Sequence, residues 1–351
     1  MSGAMSAAGM NTAIAQMAIR GMVSAVPALC ISNAAFEPQF GAAAVADIAK
    51  MTGVQSRRHT NSQQTAADLC QAAANTLLDE LGWERQSVDA VIFISQTPDY
   101  RLPASACQLQ HQLGLRPSCA AFDVNLGCSG YVYGLWLAGK LLDGVALRRV
   151  LLLVGDTISK IVNPADRATA LLFGDAGSAT ALEFDAAAPM SHFVLGSDGA
   201  GARNLIIPQG GARAYLDDDA RLAAADPRCL YMDGAEVFNF TLSHVAPLVT
   251  QLLAFAGVSK EAVDLFAFHQ ANSFMLRHII KKLKLDPLKA PLNMERYGNT
   301  SCASIPLLIT DAATACRWDG QVAMIGFGVG YSWAAALLNL GSMQVNALIE
   351  I

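Results

Sequence analysis

The sequence predicts an α/β protein made of two similar halves. Short apolar runs bounded by turn residues, which are typical of buried strands, alternate with longer segments that have apolar residues at helical spacing. This alternation fills residues 18–187 and starts again in residues 188–351. The composition agrees, since 53% of the 351 residues are hydrophobic and 15% are charged, enough to bury a large core. Residues 1–17, rich in Ala, Met and Ser, stand outside the pattern, and we expect them to form a loose tail.

In the first half, the apolar runs and the helical spacing each predict several elements. The strands are expected at residues 18–26, 90–95, 120–124, 150–155, 168–173 and 179–184, and the helices at 65–81, 104–113 and 131–142. The pair of strands around Gly174–Gly177 resembles a hairpin.

The second half repeats the alternation of strands and helices, but its amino-acid sequence does not repeat that of the first half. Helices are expected at residues 237–256, 273–285 and 304–317, and strands at 265–268, 321–326 and 332–339. Residues 209–230 form a long irregular insertion, which is typical either of a mobile lid or of a solvated connection.

Charge, cysteine spacing and glycine clusters exclude several classes of protein. A formal net charge of −5 argues against nucleic-acid binding. Eight cysteines without a C-x-x-C pair suggest neither a metal site nor a disulfide framework. Gly326–Gly330 is followed by too few residues for a dinucleotide-binding unit, and no glycine run is followed by the Lys-Ser/Thr pair of an ATP site. Because we find neither a signal peptide nor a run of about 18 apolar residues, we expect a soluble cytoplasmic protein without membrane association.

One cysteine is placed as a nucleophile would be. The segment Asn125-Leu-Gly-Cys128-Ser-Gly links a predicted strand to a predicted helix, so Cys128 should lie at a helix N-terminus. The positive end of a helix dipole favours the thiolate, which is the reactive form. A cysteine among glycines is equally typical of small core filler.

Two later residues strengthen the catalytic interpretation. His269 directly follows the predicted strand 265–268, and Asn299 lies in a turn rich in Gly, Ser and Thr. Alone, the histidine is more typical of a hydrogen-bonded core residue and the asparagine of turn structure. Together with Cys128, they form the set of strand-end residues that nucleophilic catalysis by a cysteine requires.

The chain resembles the ketoacyl-ACP synthase III family of the thiolase superfamily over nearly its whole length. Six motifs carry the resemblance, in the family's order: Asn125-Leu-Gly-Cys128-Ser-Gly, Asp166-Arg-Ala-Thr-Ala-Leu-Leu-Phe-Gly-Asp-Ala-Gly177, Met232-Asp-Gly-Ala-Glu-Val-Phe238, His269-Gln-Ala-Asn272, Gly298-Asn-Thr-Ser301 and Phe327-Gly-Val-Gly-Tyr-Ser-Trp333. The resemblance implies a duplicated five-layer αβαβα fold, and it implies that the 209–230 insertion lines an acyl pocket.

The resemblance also implies a two-step condensation. Cys128 would be acylated by an acyl thioester, and a malonyl thioester would then lose carbon dioxide and attack the acyl group. His269 and Asn299 would donate hydrogen bonds to the enolate, and the N–H groups of Cys128 and Val329 would form the oxyanion hole, although the family usually has glycine at position 329. Three further motif residues are expected to contact substrate: Phe327, Met232 and Asn272. No permanently bound cofactor or metal is implied, because the substrates themselves are phosphopantetheine thioesters of acyl carrier protein (acyl-ACP) or coenzyme A (acyl-CoA).

Members of this family form homodimers, which assigns a role to two more segments. The apolar strand 120–124 would pair across the two-fold axis. Residues 97–103 match the part that reaches into the neighbouring subunit's pocket, so Tyr100 and Leu102 are expected to limit the acyl length.

The expected coenzyme A site departs from the family. Arg167 matches an adenine-clamping arginine, whereas Asp47 stands at the tryptophan position, and Met51 and Phe274 replace two basic residues. Four cations follow on one predicted helix: Arg277, Lys281, Lys282 and Lys284. Such a stripe is typical of a solvated face, but it also suits an acidic acyl carrier protein, so we expect carrier-bound donors to be preferred.

Two alternatives stay open at this point. The acyl group on Cys128 could pass to an alcohol, an amine or another carbon nucleophile in specialised metabolism. The chain could also be a non-catalytic partner subunit of a heterodimer, although such a subunit would be expected to have lost its nucleophile.

Overall fold

The computed structural model describes residues 8–213, 220–223, 225–312 and 320–351. Its strands are β1 (Met10–Ile14), β2 (Met17–Val26), β3 (Cys30–Ser32), β4 (Ser56–Arg58), β5 (Ala90–Ile94), β6 (Ala120–Val124), β7 (Arg149–Asp156), β8 (Ala176–Phe184), β9 (Ser191–Ser197), β10 (Leu205–Ile206), β11 (Tyr231–Met232), β12 (Leu265–Phe268), β13 (Gln321–Gly328), β14 (Ser332–Asn339) and β15 (Val345–Glu350). Its α-helices are α1 (Glu37–Phe40), α2 (Ala42–Thr52), α3 (Ala66–Leu81), α4 (Ser105–Gln112), α5 (Gly130–Leu141), α6 (Arg167–Ala170), α7 (Ala220–Ala223), α8 (Gly234–Ala256), α9 (Ser273–Leu283), α10 (Met294–Tyr297) and α11 (Ser304–Ala312).

Two large mixed sheets contain the same four-strand unit. The six-stranded sheet has the order β15-β2-β8-β7-β5-β6, and the five-stranded sheet has the order β1-β9-β14-β13-β12. In the unit β5-β7-β8-β2, the successive pairs are parallel, antiparallel and antiparallel. The unit β12-β13-β14-β9 has the same sequence of pairings. In each unit, the strand that comes first in the sequence pairs with the strand that comes last: β2 with β8, and β9 with β14. The architecture is therefore duplicated although the amino-acid sequence is not.

The sheets and helices form five layers, as expected for the αβαβα fold. Helices α5 and α11 lie between the two sheets, where Tyr131, Leu135 and Ile309 share one core with both. Helices α3 and α4 cover the outer face of the six-stranded sheet. Helices α8 and α9 cover the outer face of the five-stranded sheet.

The N-terminal tail prediction is wrong for residues 10–17. Residues 10–14 form β1, which pairs antiparallel with β9, and β2 already begins at Met17. The pairing partner lies about 180 residues further along the chain, so no local pattern could reveal it. Residues 1–7 lie outside the described residues.

Two other element predictions need correction, and a third is tested only in part. Residues 168–173 were expected to form a strand, but α6 occupies residues 167–170, because the Asp166 side chain caps it by accepting from the Ala168 N–H at 3.0 Å. The helix expected at 273–285 ends at Leu283, since Lys284 adopts a left-handed conformation with φ 53°. In the helix expected at 304–317, α11 covers residues 304–312, and residues 313–317 lie outside the described part of the chain.

Within the described residues, α8 is the one helix long and apolar enough to span a membrane by length and composition. It carries Phe240, Leu248 and Leu252 in the core against the five-stranded sheet. This packing is that of a core helix.

Candidate active site

Cys128 lies in the turn between β6 and α5, where Ser129 occupies the N-cap position of the helix. The sheet of the other half closes over it, because β13 carries glycines at the contact. A β-carbon on Gly328 would lie 2.8 Å from Cys128 Sγ, and one on Gly326 would lie 2.8 Å from Cys128 O. Gly328 also has φ +153°, which disfavours other residues. Cys128 is therefore only 8% exposed.

This burial reverses the expectation of a favoured thiolate. Removal from water raises the pKa of the Cys128 thiol to about 11, and the Val329 N–H only partly offsets the effect by donating towards the sulfur. The Val329 side chain does not displace this N–H, because it packs beside Gly127. Position 329 therefore supplies its backbone donor despite carrying valine.

His269 follows β12, and its ring is almost fully buried. Its Nδ1 lies 2.6 Å from Ser304 Oγ, and this oxygen also accepts from the Gln270 N–H at 3.4 Å. We assign the Ser304 proton to the bond with Nδ1, which leaves the ring proton on Nε2. Burial lowers the pKa of His269 to about 3, so the imidazole is neutral at physiological pH. The ring meets Phe327 edge-on, with centroids 5.6 Å apart.

Asn299 is oriented by its own loop. Its N–H donates to Leu172 O at 2.9 Å, and its carbonyl accepts from the Gly174 N–H at 3.0 Å. The side-chain Oδ1 accepts from the Ser301 N–H at 2.9 Å. Because the amide oxygen is engaged, the Nδ2 group is the free donor of Asn299.

Cys128, His269 and Asn299 line one cavity of about 960 Å³. Phe327, Val329, Met232 and Asn272 also line it, so the roles predicted for them stay compatible with the structure and stay predictions. Asn272 has a structural task as well, since its side chain caps α9 by accepting from Phe274 N–H at 2.8 Å. The rest of the wall is mainly apolar and includes Ile158, Ile161, Leu172, Leu205, Ile206, Ile207, Leu230, Val237 and Phe238.

Two of these wall positions bear on the 209–230 insertion. Ile207, just before the insertion, and Leu230, its last residue, line the cavity. Residues 214–219 and 224 lie outside the described residues, so the pocket-lining role of the whole insertion stays a prediction.

Other predicted residues lie outside the cavity of the single chain. Arg167 is exposed and does not line it. Tyr100 is 59% exposed and Leu102 is 83% exposed, and neither contacts the cavity.

The predicted cationic stripe is shorter than expected. Arg277 and Lys281 are exposed on α9, but Lys284 leaves the helix and borders a separate small pocket with Lys260. The Lys282 ammonium group donates to Leu242 O at 3.1 Å.

The three departures from the family at the expected coenzyme A site have a common location. Asp47, Met51 and Phe274 line the cavity at α2 and at the start of α9, and the Phe274 ring stacks on Phe238 with centroids 5.9 Å apart. Lys50 lines the same region and was missed by the sequence analysis. Lys50 places a positive charge in this otherwise mainly apolar part of the cavity wall.

Sequence reasoning also missed Asp156, a fully buried carboxylate beneath the site at the end of β7. It accepts from Ser95 Oγ at 3.0 Å, Gln96 N–H at 2.7 Å and Cys302 Sγ at 3.3 Å. Burial raises its pKa, and these donors partly offset the effect. The residue ties the loop after β5 to the loop that carries Asn299. Its place directly after the apolar run 150–155 was the available sequence signal.

Comparisons with known proteins agree with this geometry. The family described as 3-oxoacyl-[acyl-carrier-protein (ACP)] synthase III matches residues 122–199, and its C-terminal region matches residues 253–340. A β-ketoacyl-[acyl-carrier-protein] synthase III from Symbiobacterium thermophilum is 34% identical over 93% of this chain and 99% of its own length.

Solved structures give the same result. A 3-oxoacyl-(acyl-carrier protein) synthase from Burkholderia xenovorans LB400 is 51% identical, with a TM-score of 0.94 over 98% of this chain and 99% of that one. A β-ketoacyl-[acyl carrier protein] synthase III from Thermus thermophilus is 33% identical, with a TM-score of 0.83 over 93% and 99%. The chain therefore belongs to the 3-oxoacyl-[acyl-carrier-protein] synthase III family of condensing enzymes, which are acyltransferases.

Proposed function

We propose that the chain joins an acyl group to a malonyl unit through an acyl-enzyme on Cys128. In the first step the sulfur attacks the acyl thioester carbonyl, the carrier thiolate leaves, and the thiol proton passes to it. In the second step a malonyl thioester loses carbon dioxide, and the resulting carbanion attacks the acyl-cysteine. The products are a β-ketoacyl thioester and the Cys128 thiolate, which regains a proton from water.

The observation that carries this proposal is that His269 and Asn299 both line the cavity of Cys128, with Nδ1 of His269 bonded to Ser304 and Oδ1 of Asn299 bonded to Ser301. We assign their remaining polar groups, Nε2–H and Nδ2–H, as the donors to the reacting group. Decarboxylation places negative charge on the thioester oxygen of the malonyl group. Neutral donors fixed in a water-poor cavity stabilise such charge, commonly by about 3 kcal/mol for each donor. The N–H groups of Cys128 and Val329 take the corresponding role for the first step.

A direct test supplies the protein with acyl-ACP and malonyl-ACP and measures carbon dioxide and the β-ketoacyl product. We expect carbon dioxide and the β-ketoacyl product to form in equal amounts. Neither should form unless the acyl group has first been transferred to Cys128. Acylation of Cys128 without release of carbon dioxide would instead favour transfer to an alcohol, an amine or another carbon nucleophile. Absence of any acyl-enzyme would favour a non-catalytic subunit.

We propose that the donors are carrier-bound thioesters rather than acyl-CoA, and that no cofactor is permanently bound. An adenosine phosphate at the mouth would meet the Asp47 carboxylate and the apolar side chains of Met51 and Phe274, with Lys50 as the nearby cation. On α9, Phe274, Arg277 and Lys281 follow each other at spacings that place them on one helix face. An acidic carrier protein docking there would bring its phosphopantetheine arm to the cavity.

Reversing two of these charges tests the docking surface. Arg277→Glu with Lys281→Glu should raise KM for the carrier substrate several-fold, more strongly at low salt, and should spare small thioester mimics. Lys140→Glu with Arg148→Glu, which changes the charge equally at exposed positions elsewhere, serves as the control. Equal use of acyl-CoA by the unmodified protein, with no salt-dependent effect of the α9 variant, would contradict the proposal.

We also propose a cytoplasmic homodimer that pairs through β6. This strand lies at the edge of the six-stranded sheet, and the Ala-Ala-Phe-Asp-Val segment is only partly buried in the single chain. Leu102, which precedes β6 in the sequence, has 83% of its surface exposed. Such exposure in the single chain is what we expect of a side chain that enters the partner's pocket. Sedimentation should give twice the chain mass, and a monomer at micromolar concentration would contradict both points.

A further inference from the structure

The side chain of Gln96 lies beside the nucleophile without a hydrogen-bond partner among the described residues. Gln96 follows β5, its backbone is fixed by the 2.7 Å bond to Asp156, and its side chain lines the cavity of Cys128. Its amide oxygen occupies the space where a β-carbon on Gly127 would be, so glycine at 127 is what admits it. The amide therefore lies next to the residue that immediately precedes Cys128.

The side chain of Val329 also lies close to Gly127. Its Cγ1 lies 2.6 Å from the same β-carbon position of Gly127, so the two side chains lie side by side above the glycine. Gln96 and Val329 therefore both line the cavity next to the residue that precedes the nucleophile.

An amide in a mainly apolar wall has a consequence for the ligand. An apolar acyl chain lying against it would cover its donor and acceptor without replacing the hydrogen bonds to water, which is unfavourable. A hydroxyl group on the acyl chain both donates and accepts, so it matches the amide. Because Gly127 is bonded to Cys128 and both Gln96 and Cys128 line the cavity, the amide borders the part of the cavity that would hold the acyl carbons close to the thioester.

We propose that Gln96 is a specificity residue that favours acyl groups carrying a hydroxyl on the third carbon. The inference rests on the proposed acyl-enzyme on Cys128 and adds the substrate class to it. The hydroxyl would exchange hydrogen bonds with the Gln96 amide, while the rest of the chain would occupy the apolar cavity. Gln96 takes no part in bond making or breaking.

The test uses two donors of the same shape, the N-acetylcysteamine thioesters of 3-hydroxybutyrate and 3-methylbutyrate, which differ by a hydroxyl in place of a methyl group. The rate of Cys128 acylation by each is followed by intact mass. We expect the unmodified protein to prefer the hydroxylated donor about tenfold, and Gln96→Leu to lose that preference, since a site built for a hydroxyl discriminates against the analogue without it. The ratio of the two rates does not depend on how much of a preparation is folded. Gln63→Leu, at an exposed loop position, should keep the preference.

Each outcome decides the matter. Equal rates for the two donors in the unmodified protein, or a preference that survives Gln96→Leu, would overturn the role of Gln96 and leave the acyl-enzyme intact. No acylation of Cys128 by these donors or by any acyl-ACP would overturn the proposed function, and the inference with it.

Discussion

The two halves of the molecule share one strand topology but contribute different chemistry to the site. In the first half, the loop between β6 and the central helix α5 presents Cys128. In the second half, the loop before the central helix α11 presents Asn299, and the end of β12 presents His269. The duplicated scaffold thus brings a nucleophile and two hydrogen-bond donors to one cavity from opposite sides. We infer that Cys128 of the first half carries the acyl group, whereas His269 and Asn299 of the second half act in the decarboxylation step.

Burial acts on the two sides in opposite directions. It raises the pKa of the Cys128 thiol to about 11 and lowers that of His269 to about 3. Both groups are neutral across the physiological range as a result. The resting site carries little charge, so its donors act mainly on the charge that develops during the reaction.

The largest expected effect follows from removing the first half's contribution. Cys128→Ala should abolish acyl transfer, because no other cysteine among the described residues lines the cavity, while the small change of side chain should leave the fold intact. Turnover assays with circular dichroism as the folding control check this. Substantial turnover by the variant would show that the nucleophile lies elsewhere.

Removing a donor from the second half should slow decarboxylation selectively. His269→Ala or Asn299→Ala should each reduce malonyl decarboxylation by about 10²–10³, the usual loss for one such donor. Carbon dioxide release from malonyl-ACP measures it. Normal condensation by both variants would remove the second half from the mechanism.

The pH dependence of alkylation tests the electrostatic side of the comparison. Since the thiolate is the reactive form and its pKa is raised, the rate at which iodoacetamide modifies Cys128 should rise about tenfold per pH unit between pH 7 and 10. Peptide mapping separates Cys128 from the exposed Cys30 and Cys107. A rate that levels off near pH 7 would mean that the helix N-terminus outweighs burial.

The smallest expected effect concerns the orientation of His269. Ser304→Ala removes the partner of Nδ1 and should slow decarboxylation by about tenfold, because Nε2 no longer carries the proton in every molecule. Ser304→Thr keeps the hydroxyl and should restore most of the rate. Equal rates for the alanine and threonine variants would show that the hydroxyl has no orienting role. Acylation of Cys128 should be unaffected in both.

The alternation of strands and helices could be predicted because it depends on local patterns, whereas the five-layer arrangement was implied by the resemblance to the family. Apolar runs and helical spacing located most elements. A glycine-flanked turn before a predicted helix indicated Cys128, the end of a predicted strand indicated His269, and a turn rich in Gly, Ser and Thr indicated Asn299. Strand β1 was missed because its partner β9 is distant in sequence. The short run 168–173 was assigned wrongly because an apolar run of six residues fits a strand and a helix equally well.

The properties of the site that depend on contacts between the halves could not be predicted. The raised pKa of Cys128 results from Gly326 and Gly328, about 200 residues away, whose lack of side chains lets β13 bury the sulfur. Gln96 belongs to none of the sequence motifs. Its place beside the nucleophile is visible only in the structure, where its side chain lies against Gly127.

The division of labour between the halves is tested most directly by measuring both steps in one preparation of Asn299→Ala. Intact mass after incubation with an acyl thioester gives the rate of Cys128 acylation, and carbon dioxide release from malonyl-ACP gives the second step. We predict acylation within a few-fold of the unmodified protein and decarboxylation lower by about 10²–10³. Equal losses in both steps would contradict the account, because they would place Asn299 in the same step as Cys128.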